Sequence, residues 1–331
     1  MSTALRLVKS NDLSVAGKRD YVNAQNQLEP KTGVLFHDFV FTTTTRKARR
    51  MGPSYMSNYK TVIYHLKRFS ELYSANIYTN SVNEDFLDDF IVYLESEGLR
   101  VTYIKNIISL VKAMVRKAGA YGYAVDPTYD DVVIDDEDAF SVYLSMNEIT
   151  RVYFFKGLTH KQQRIRDLFV IGCMTALRYS DYSTLTKRDF RGDYIDKVTK
   201  KTSKRVVLPI HDYVREIYDK YEGEVASGLT NQHFNRYIKK IMKLVGINEP
   251  ITYSYTKGGE LHTETKEKWE LVTSHTARRS AATNMYLTGR MKTFEIMALT
   301  GHTTEKSFFR YIKLTGEDLS KHIASDNFFR K

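Results

Sequence analysis

The segment IMALTGHTTEKSFFRYIK, Ile296 to Lys313, runs from a helical pattern through Gly301 and His302 to Tyr311, nine residues beyond that histidine. The helical pattern spans Phe294 to Thr300. A longer one precedes it from Thr276 to Leu287, entered through Ser274 and His275 and carrying Arg278. Further back, Thr175-Ala176-Leu177-Arg178-Tyr179-Ser180-Asp181 follows a helix with Ile165, Leu168, Phe169 and Gly172 on one face. Between these helices the pattern changes. Tyr194 to Lys200 and Arg205 to Pro209 are β-rich runs around the polar turn Lys201-Thr202-Ser203-Lys204. Ile251 to Tyr255 and Trp269 to Thr273 read as a second hairpin spanning Gly258-Gly259. Ser145-x-x-Glu148 is a capping box that opens this half. Residues 143–314 therefore read as one mostly helical domain with a small antiparallel sheet.

The rest of the chain is organised around an acidic break. Residues 126–138, DPTYDDVVIDDED, hold seven acids and no Lys or Arg, and a like-charged run of this kind reads as a solvated linker over residues 126–142. Before it, residues 51–125 carry three helical patterns. One buries Tyr59, Val62, Ile63, Leu66, Phe69 and Tyr73; a second runs from the cap Asn83 to the stop Gly98. The third starts at Thr102 and buries Ile104, Ile107, Ile108, Val111, Met114 and Val115, with Lys105, Lys112 and Arg116 on its other side. Residues 1–50 show weak periodicity, include the Thr-rich then basic run Thr42 to Arg50, and read as a loosely ordered arm with one hairpin at most. Residues 315–331 read as a tail helix, capped by Thr315 with Glu317 and Asp318 in its first turn. The fold class expected is mainly α.

The charge balance, 50 Lys and Arg against 39 Asp and Glu, gives +11 and suits a polyanionic partner. One cysteine, Cys173, excludes an internal disulfide framework and points to a reducing compartment. The opening Met1-Ser2-Thr3-Ala4-Leu5-Arg6 lacks the apolar run of a signal peptide, and no stretch reaches the ~20 apolar residues of a membrane span. A cytoplasmic protein is expected. No phosphate loop and no Cys/His spacing suited to zinc is present, so no cofactor and no metal is expected.

Taken singly, Arg178, Lys201, His275, Arg278, His302 and Tyr311 each have an ordinary structural explanation. Together and in this order they resemble the signature of the tyrosine recombinase (phage integrase) family, and SHTARRSAATNMYLTG and IMALTGHTTEKSFFRYIK are similar to integrases of Bacteroides mobile elements. Ala176 departs from the glycine usual before Leu-Arg. The resemblance implies a SAM-like core-binding domain ahead of the catalytic domain. It also implies a site-specific recombinase that cuts and rejoins double-stranded DNA through a 3′-phosphotyrosine on Tyr311, as a homotetramer on DNA and a monomer when free. In that scheme Arg178 and Arg278 clamp the phosphate, His275 takes the tyrosine proton and Lys201 protonates the leaving 5′ oxygen. His302 hydrogen-bonds the phosphate and Asp181 orients a cation. Lys105, Lys112 and Arg116 would contact DNA. A type IB topoisomerase shares most of these residue types but typically has Lys in place of His275. A catalytically silent DNA-binding regulator on the same scaffold is the reading from another class.

Overall fold

The computed structural model describes residues 33–312 apart from 52, 136, 139, 226 and 227, together with 314, 316, 320, 323 and 324. The chain is mainly α and divides into two compact units. The first runs to Ala139 and includes Tyr255–His262; the second comprises Phe140–Ser254 and everything from Thr263 on.

In the first unit, helices α1 (Phe36–Met51), α2 (Pro53–Leu72), α3 (Glu84–Ser96) and α4 (Val101–Ala120) enclose one core. Phe69 lies at its centre, with the rings of Phe86, Phe90 and Tyr93 edge-on at 5.5 Å each. Such pairs add to the area they bury. Asn83 caps α3 by accepting from the Phe86 amide at 2.9 Å.

Helix α1 corrects the expectation of a loose arm over residues 1–50, as far as it falls on described residues; residues 1–32 lie outside them. Phe36, Phe39, Val40, Thr43 and Thr44 recur at helical spacing and are buried. The threonine run tolerates the helix because Thr44 donates its hydroxyl back to the Val40 carbonyl at 2.7 Å. A strip of only five positions, two of them threonine, is too faint to stand out by hydrophobicity alone.

The acidic segment also differs from a solvated linker. Asp126 accepts from the Thr128 amide and hydroxyl at 3.0 and 2.7 Å and starts a 3-10 turn, Pro127–Asp130. Tyr129 is only 8% exposed, and Val132 and Ile134 pack on the first core. Lys112 donates to the carbonyls of Asp130, at 3.1 Å, and Val132, while Arg116 pairs with the Asp130 carboxylate at 3.3 Å. Two of the three basic side chains assigned to DNA thus hold the acidic segment to α4. The acids that looked mutually repulsive are partly matched by these cations, and the apolar residues among them supply the burial.

The second unit is built round α6 (His160–Thr175), preceded by α5 (Met146–Phe154). Every residue of α6 from Ile165 on is buried, so beyond its first turn it is a core helix with no solvent face. The Thr159/Gln162 capping box starts it. After it come the short α7 (Tyr179–Tyr182) and an antiparallel sheet of β1 (Phe190–Arg191), β2 (Tyr194–Val198) and β3 (Arg205–Pro209), with Ile195 opposite Leu208 and Val198 opposite Arg205. Helices α8 (Asp212–Lys220) and α9 (Asn231–Val245) follow, then the hairpin β4 (Pro250–Lys257) and β5 (Glu260–Glu267). Gly258 and Gly259 both take positive φ at its turn, as a two-residue hairpin loop demands. The second strand therefore returns at once, and Trp269 lies past it in the short helix α10 (Lys268–Leu271). That corrects the expectation of a strand over Trp269–Thr273, which missed that Glu267 and Glu270 form a capping box.

The chain closes with α11 (Ser274–Leu287), α12 (Thr293–Thr300) and α13 (Glu305–Phe309). A Cβ at Gly172 of α6 would come within 3.0 Å of the Ala277 Cβ and 2.8 Å of the Tyr182 ring. Glycine there lets α11 pack closely on α6. The expected tail helix over 315–331 falls largely outside the described residues.

If the acidic segment is part of the first fold, Tyr129→Ala should destabilise the protein by about 3 kcal/mol, the usual cost of removing a buried aromatic ring. Urea unfolding checks this, and an unchanged midpoint would mark the segment as a passive tether.

Candidate active site

Helix α6 ends at Ala176 in the left-handed region, φ 54°. That turn buries Leu177 and sets Arg178 at the start of α7. It also aims the Ala176 carbonyl at α11, where Arg278 Nη1 donates to it at 2.6 Å. Arg278 Nη2 donates to the Thr300 carbonyl at the end of α12. The side chain is 2% exposed. Burial, then the charge of Arg178, lowers its pKa to about 10, which leaves it cationic at neutral pH.

Helix α12 stops at Gly301 with φ 67°, and the His302 amide returns to the Met297 carbonyl at 3.0 Å. This Schellman-type stop fixes His302 beside Thr300. Phe308 of α13 is fully buried with Ala282 and Ile296, and the Tyr311 amide donates to its carbonyl at 2.7 Å. Three groups consequently surround the Tyr311 ring. The His302 ring lies 4.6 Å away centroid to centroid, the Arg278 guanidinium 5.4 Å and the Arg279 guanidinium 5.7 Å.

The tautomer of His302 follows from its neighbour. Thr300 Oγ1 lies 2.7 Å from the Ile296 carbonyl, to which it must donate. It can therefore only accept from His302 Nδ1, also at 2.7 Å. Burial, then Arg278 and Arg178, depress the imidazole pKa to about 4. His302 is neutral at pH 7, with the proton on Nδ1 and a lone pair on a buried Nε2 that has no protein partner.

Asp181 is fully buried and accepts from the Lys200 amide at 2.8 Å through Oδ1. The contact places it at the base of the β2–β3 turn, and its charge also acts on the Arg278 guanidinium. Lys201 stands at the exposed tip. The turn is closed by the Ser203 amide on the Thr199 carbonyl and the Thr199 amide on the Lys204 carbonyl, both 2.9 Å. His275 sits in the first turn of α11, its residue open to solvent. Surrounding protein mass, then the charges of Arg279, Arg278, Lys201 and Arg178, depress its pKa and keep it neutral. His275 is linked by charge to Lys201, Arg178 and Arg278. A cavity of about 120 Å³ is lined by Arg178, Thr202, Arg205, Arg278 and His302, among others.

Of the eight buried side-chain N and O atoms without a protein partner among the described residues, five belong here: Asp181 Oδ2, Ser274 Oγ, Arg278 Nε, Arg279 Nε and His302 Nε2. Each such group costs about 1–3 kcal/mol. Their concentration in a cationic cleft suits an anion that several of them can contact. No group of three His, Cys, Asp or Glu side chains converges as a metal site would need, among the described residues.

Residues 35–134 match the phage integrase SAM-like domain. No curated protein matches the chain. Among solved structures, a lambda integrase tetramer bound to a Holliday junction is similar over 91% of this chain and 84% of that one, at 16% identity and a TM-score of 0.61. A lambda integrase dimer on a COC′ core site matches over 86% and 96%, at 16% identity and 0.65. The Tn1549 transposon integrase with circular intermediate DNA matches over 88% and 99%, at 16% identity and 0.59. The chain has the tyrosine-recombinase fold.

Within this recombinase fold the second unit brings Arg178, Arg278, His302 and Tyr311 to one cluster. Lys105, Lys112 and Arg116 all lie on α4 of the first unit. Sequence reasoning passed over Arg279 and Thr300. The doubled arginine in SHTARRS signals the first, but only the fold shows that both arginines reach Tyr311. Thr300 matters through one hydroxyl, which no pattern reveals.

Ala176 offers a direct test of the turn that supports Arg278. A non-glycine residue at positive φ is strained, so Ala176→Gly should raise stability by about 1 kcal/mol in urea or thermal unfolding. Destabilisation would mean that the Ala176 methyl group contributes more to packing than its backbone conformation costs.

Proposed function

We propose that this chain is a site-specific DNA recombinase that cuts and rejoins duplex DNA through a 3′-phosphotyrosine on Tyr311. The observation that carries the reading is the tyrosine flanked by Arg278 and His302, in a cleft where buried donors lack protein partners. A phosphodiester is anionic, and in-line attack spreads its charge over the non-bridging oxygens. Fixed cations are then the main means of catalysis.

In this reading Arg178 and Arg278 hold the non-bridging oxygens of the scissile phosphate. Neutral His275 takes the Tyr311 proton, the phenolate oxygen bonds to phosphorus, and the bond from phosphorus to the 5′ oxygen breaks. Lys201 gives a proton to that oxygen, leaving a free 5′ hydroxyl. Attack by a 5′ hydroxyl on the phosphotyrosine reverses the sequence and restores Tyr311, so the phosphoester energy is conserved. His302 donates to the phosphate only after taking up a proton at Nε2, which the anion itself favours against the two arginines. Asp181 serves by anchoring the Lys201 turn.

Double-stranded DNA is the partner proposed, with Lys105, Lys112 and Arg116 as contacts on the first unit; Lys112 would then share or leave the Asp130 and Val132 carbonyls, and Arg116 the Asp130 carboxylate. Lambda integrase is seen as a tetramer on a Holliday junction, and a four-protomer complex is the assembly proposed here. No helix among the described residues is long and apolar enough to cross a membrane, in keeping with action on DNA in the cytoplasm.

A nicked suicide duplex tests the proposal. Tyr311→Phe should keep DNA binding and lose the covalent adduct. Lys201→Ala should slow cleavage strongly on ordinary DNA and weakly when sulfur replaces the 5′ oxygen, since a thiolate leaves without an acid. Wild-type adduct levels from the Phe variant would overturn the nucleophile, and absence of sulfur rescue would remove Lys201 from the acid role.

A further inference from the structure

Two arginines face Tyr311, and the reaction above uses only one. The Arg279 guanidinium is 5.7 Å from the tyrosine ring centroid, against 5.4 Å for Arg278. Successive residues on a helix point about 100° apart. Both reach the same ring because α13 and the turn after it lay Tyr311 against this face of α11. Phe308, packed on Ala282 of α11, holds that placement, and the Thr283 hydroxyl donates to the Tyr311 carbonyl at 3.5 Å.

The two guanidinium groups differ in what they can do. Arg278 gives one hydrogen from each terminal nitrogen to the Ala176 and Thr300 carbonyls, so its place is set by the scaffold and the remaining hydrogens are left for a phosphate. The Arg279 Nε, like that of Arg278, is buried and has no partner in the protein, and no carbonyl bond of the kind that fixes Arg278 is seen for Arg279 among the described residues. Its charge is opposed by burial, and Tyr311 is the group that offsets this. A cation partly withdrawn from water beside a phenol gains most when that phenol becomes an anion. The charged or titratable groups shown facing the Tyr311 ring are Arg278, Arg279 and His302, and His302 is neutral. Removing Arg279 would therefore remove one of two cations from the ring.

We propose that Arg279 is a positioning residue for Tyr311: its guanidinium holds the ring against α11 and stabilises the phenolate as the proton leaves for His275. Arg278 can then serve the phosphate while Arg279 serves the nucleophile. This inference rests on Tyr311 being the nucleophile.

The test is single-turnover cleavage of the nicked suicide duplex by the full chain, followed against pH for wild type, R279M, R279Q and R279K, with Tyr311→Phe as the reference for adduct identity. R279M and R279Q keep much of the side-chain bulk and lose the charge; R279K keeps the charge. At neutral pH the two uncharged variants should cleave about tenfold more slowly, in the range of a partly desolvated cation over a ring. Their deficit should shrink as pH rises and solvent base makes the phenolate, and R279K should recover most of the rate. Either uncharged variant suffices if the other does not fold. A rate and pH profile equal to wild type, a deficit constant at every pH, or R279K as slow as R279M would overturn the proposal while the wild-type adduct still stands. Failure of wild type to form a Tyr311-dependent adduct would sink the functional reading and this inference together.

Discussion

One guanidinium ties together three segments that are far apart in the chain. Arg278 bonds the carbonyl that ends α6 and the carbonyl that ends α12 from its own place on α11. Hydrogen bonds from a charged donor contribute about 1.5–3 kcal/mol each, against the several kcal/mol that burying an ion costs. The position of everything else in the site depends on this tie. The left-handed turn at Ala176 delivers Arg178, the left-handed stop at Gly301 delivers His302, and the ring of Tyr311 lies against the same guanidinium. Scaffold and chemistry share a side chain, and no substitution there separates the two cleanly.

A second constraint is electrical. Arg178, Lys201, Arg278 and Arg279 all act on one histidine, His275. Asp181, a buried acid whose charge acts on Arg278, spends one oxygen on the Lys200 amide. Like charges held this close repel one another, and burial strengthens the repulsion. Burial first, and these charges after it, keep the two histidines neutral, which suits one to accept a proton and leaves the other needing one before it can donate to an anion. An anionic phosphate relieves the repulsion and meets the unpartnered donors at once. The arrangement is thus unfavourable by itself and would be favourable around the phosphodiester proposed as its substrate, as expected where function opposes stability.

Much of this was legible in residue types and spacing. Helix faces such as Ile104, Ile107, Ile108, Val111 and Met114 announce themselves by period, and Ser145-x-x-Glu148 by its cap. Other features were hidden for physical reasons. Helix α1 has a narrow buried strip containing two threonines, so its face carries little hydrophobic contrast. The acidic segment looked repulsive because the cations that hold it, Lys112 and Arg116, sit 14 to 20 residues away. The Asp181 contact with the Lys200 amide and the Thr300 contact with His302 are each a single hydrogen bond, and a single bond leaves no periodic trace. Arg279 is adjacent to Arg278 in the chain, and only the tertiary fold shows that neighbours pointing apart on a helix meet the same ring.

The central claim is that the cationic cluster exists to hold the negative charge of a phosphodiester in transfer. Replacing the scissile phosphate by a neutral methylphosphonate removes that charge and keeps the bond to be broken. Arg178→Ala is the variant of choice, because Arg178 carries less of the scaffold than Arg278. On ordinary DNA it should lose cleavage by the ~3–4 kcal/mol typical of a missing transition-state donor. On the methylphosphonate the loss relative to wild type should be much smaller. An equal loss on both substrates would contradict the account, since Arg178 would then be shaping the site and not neutralising its substrate.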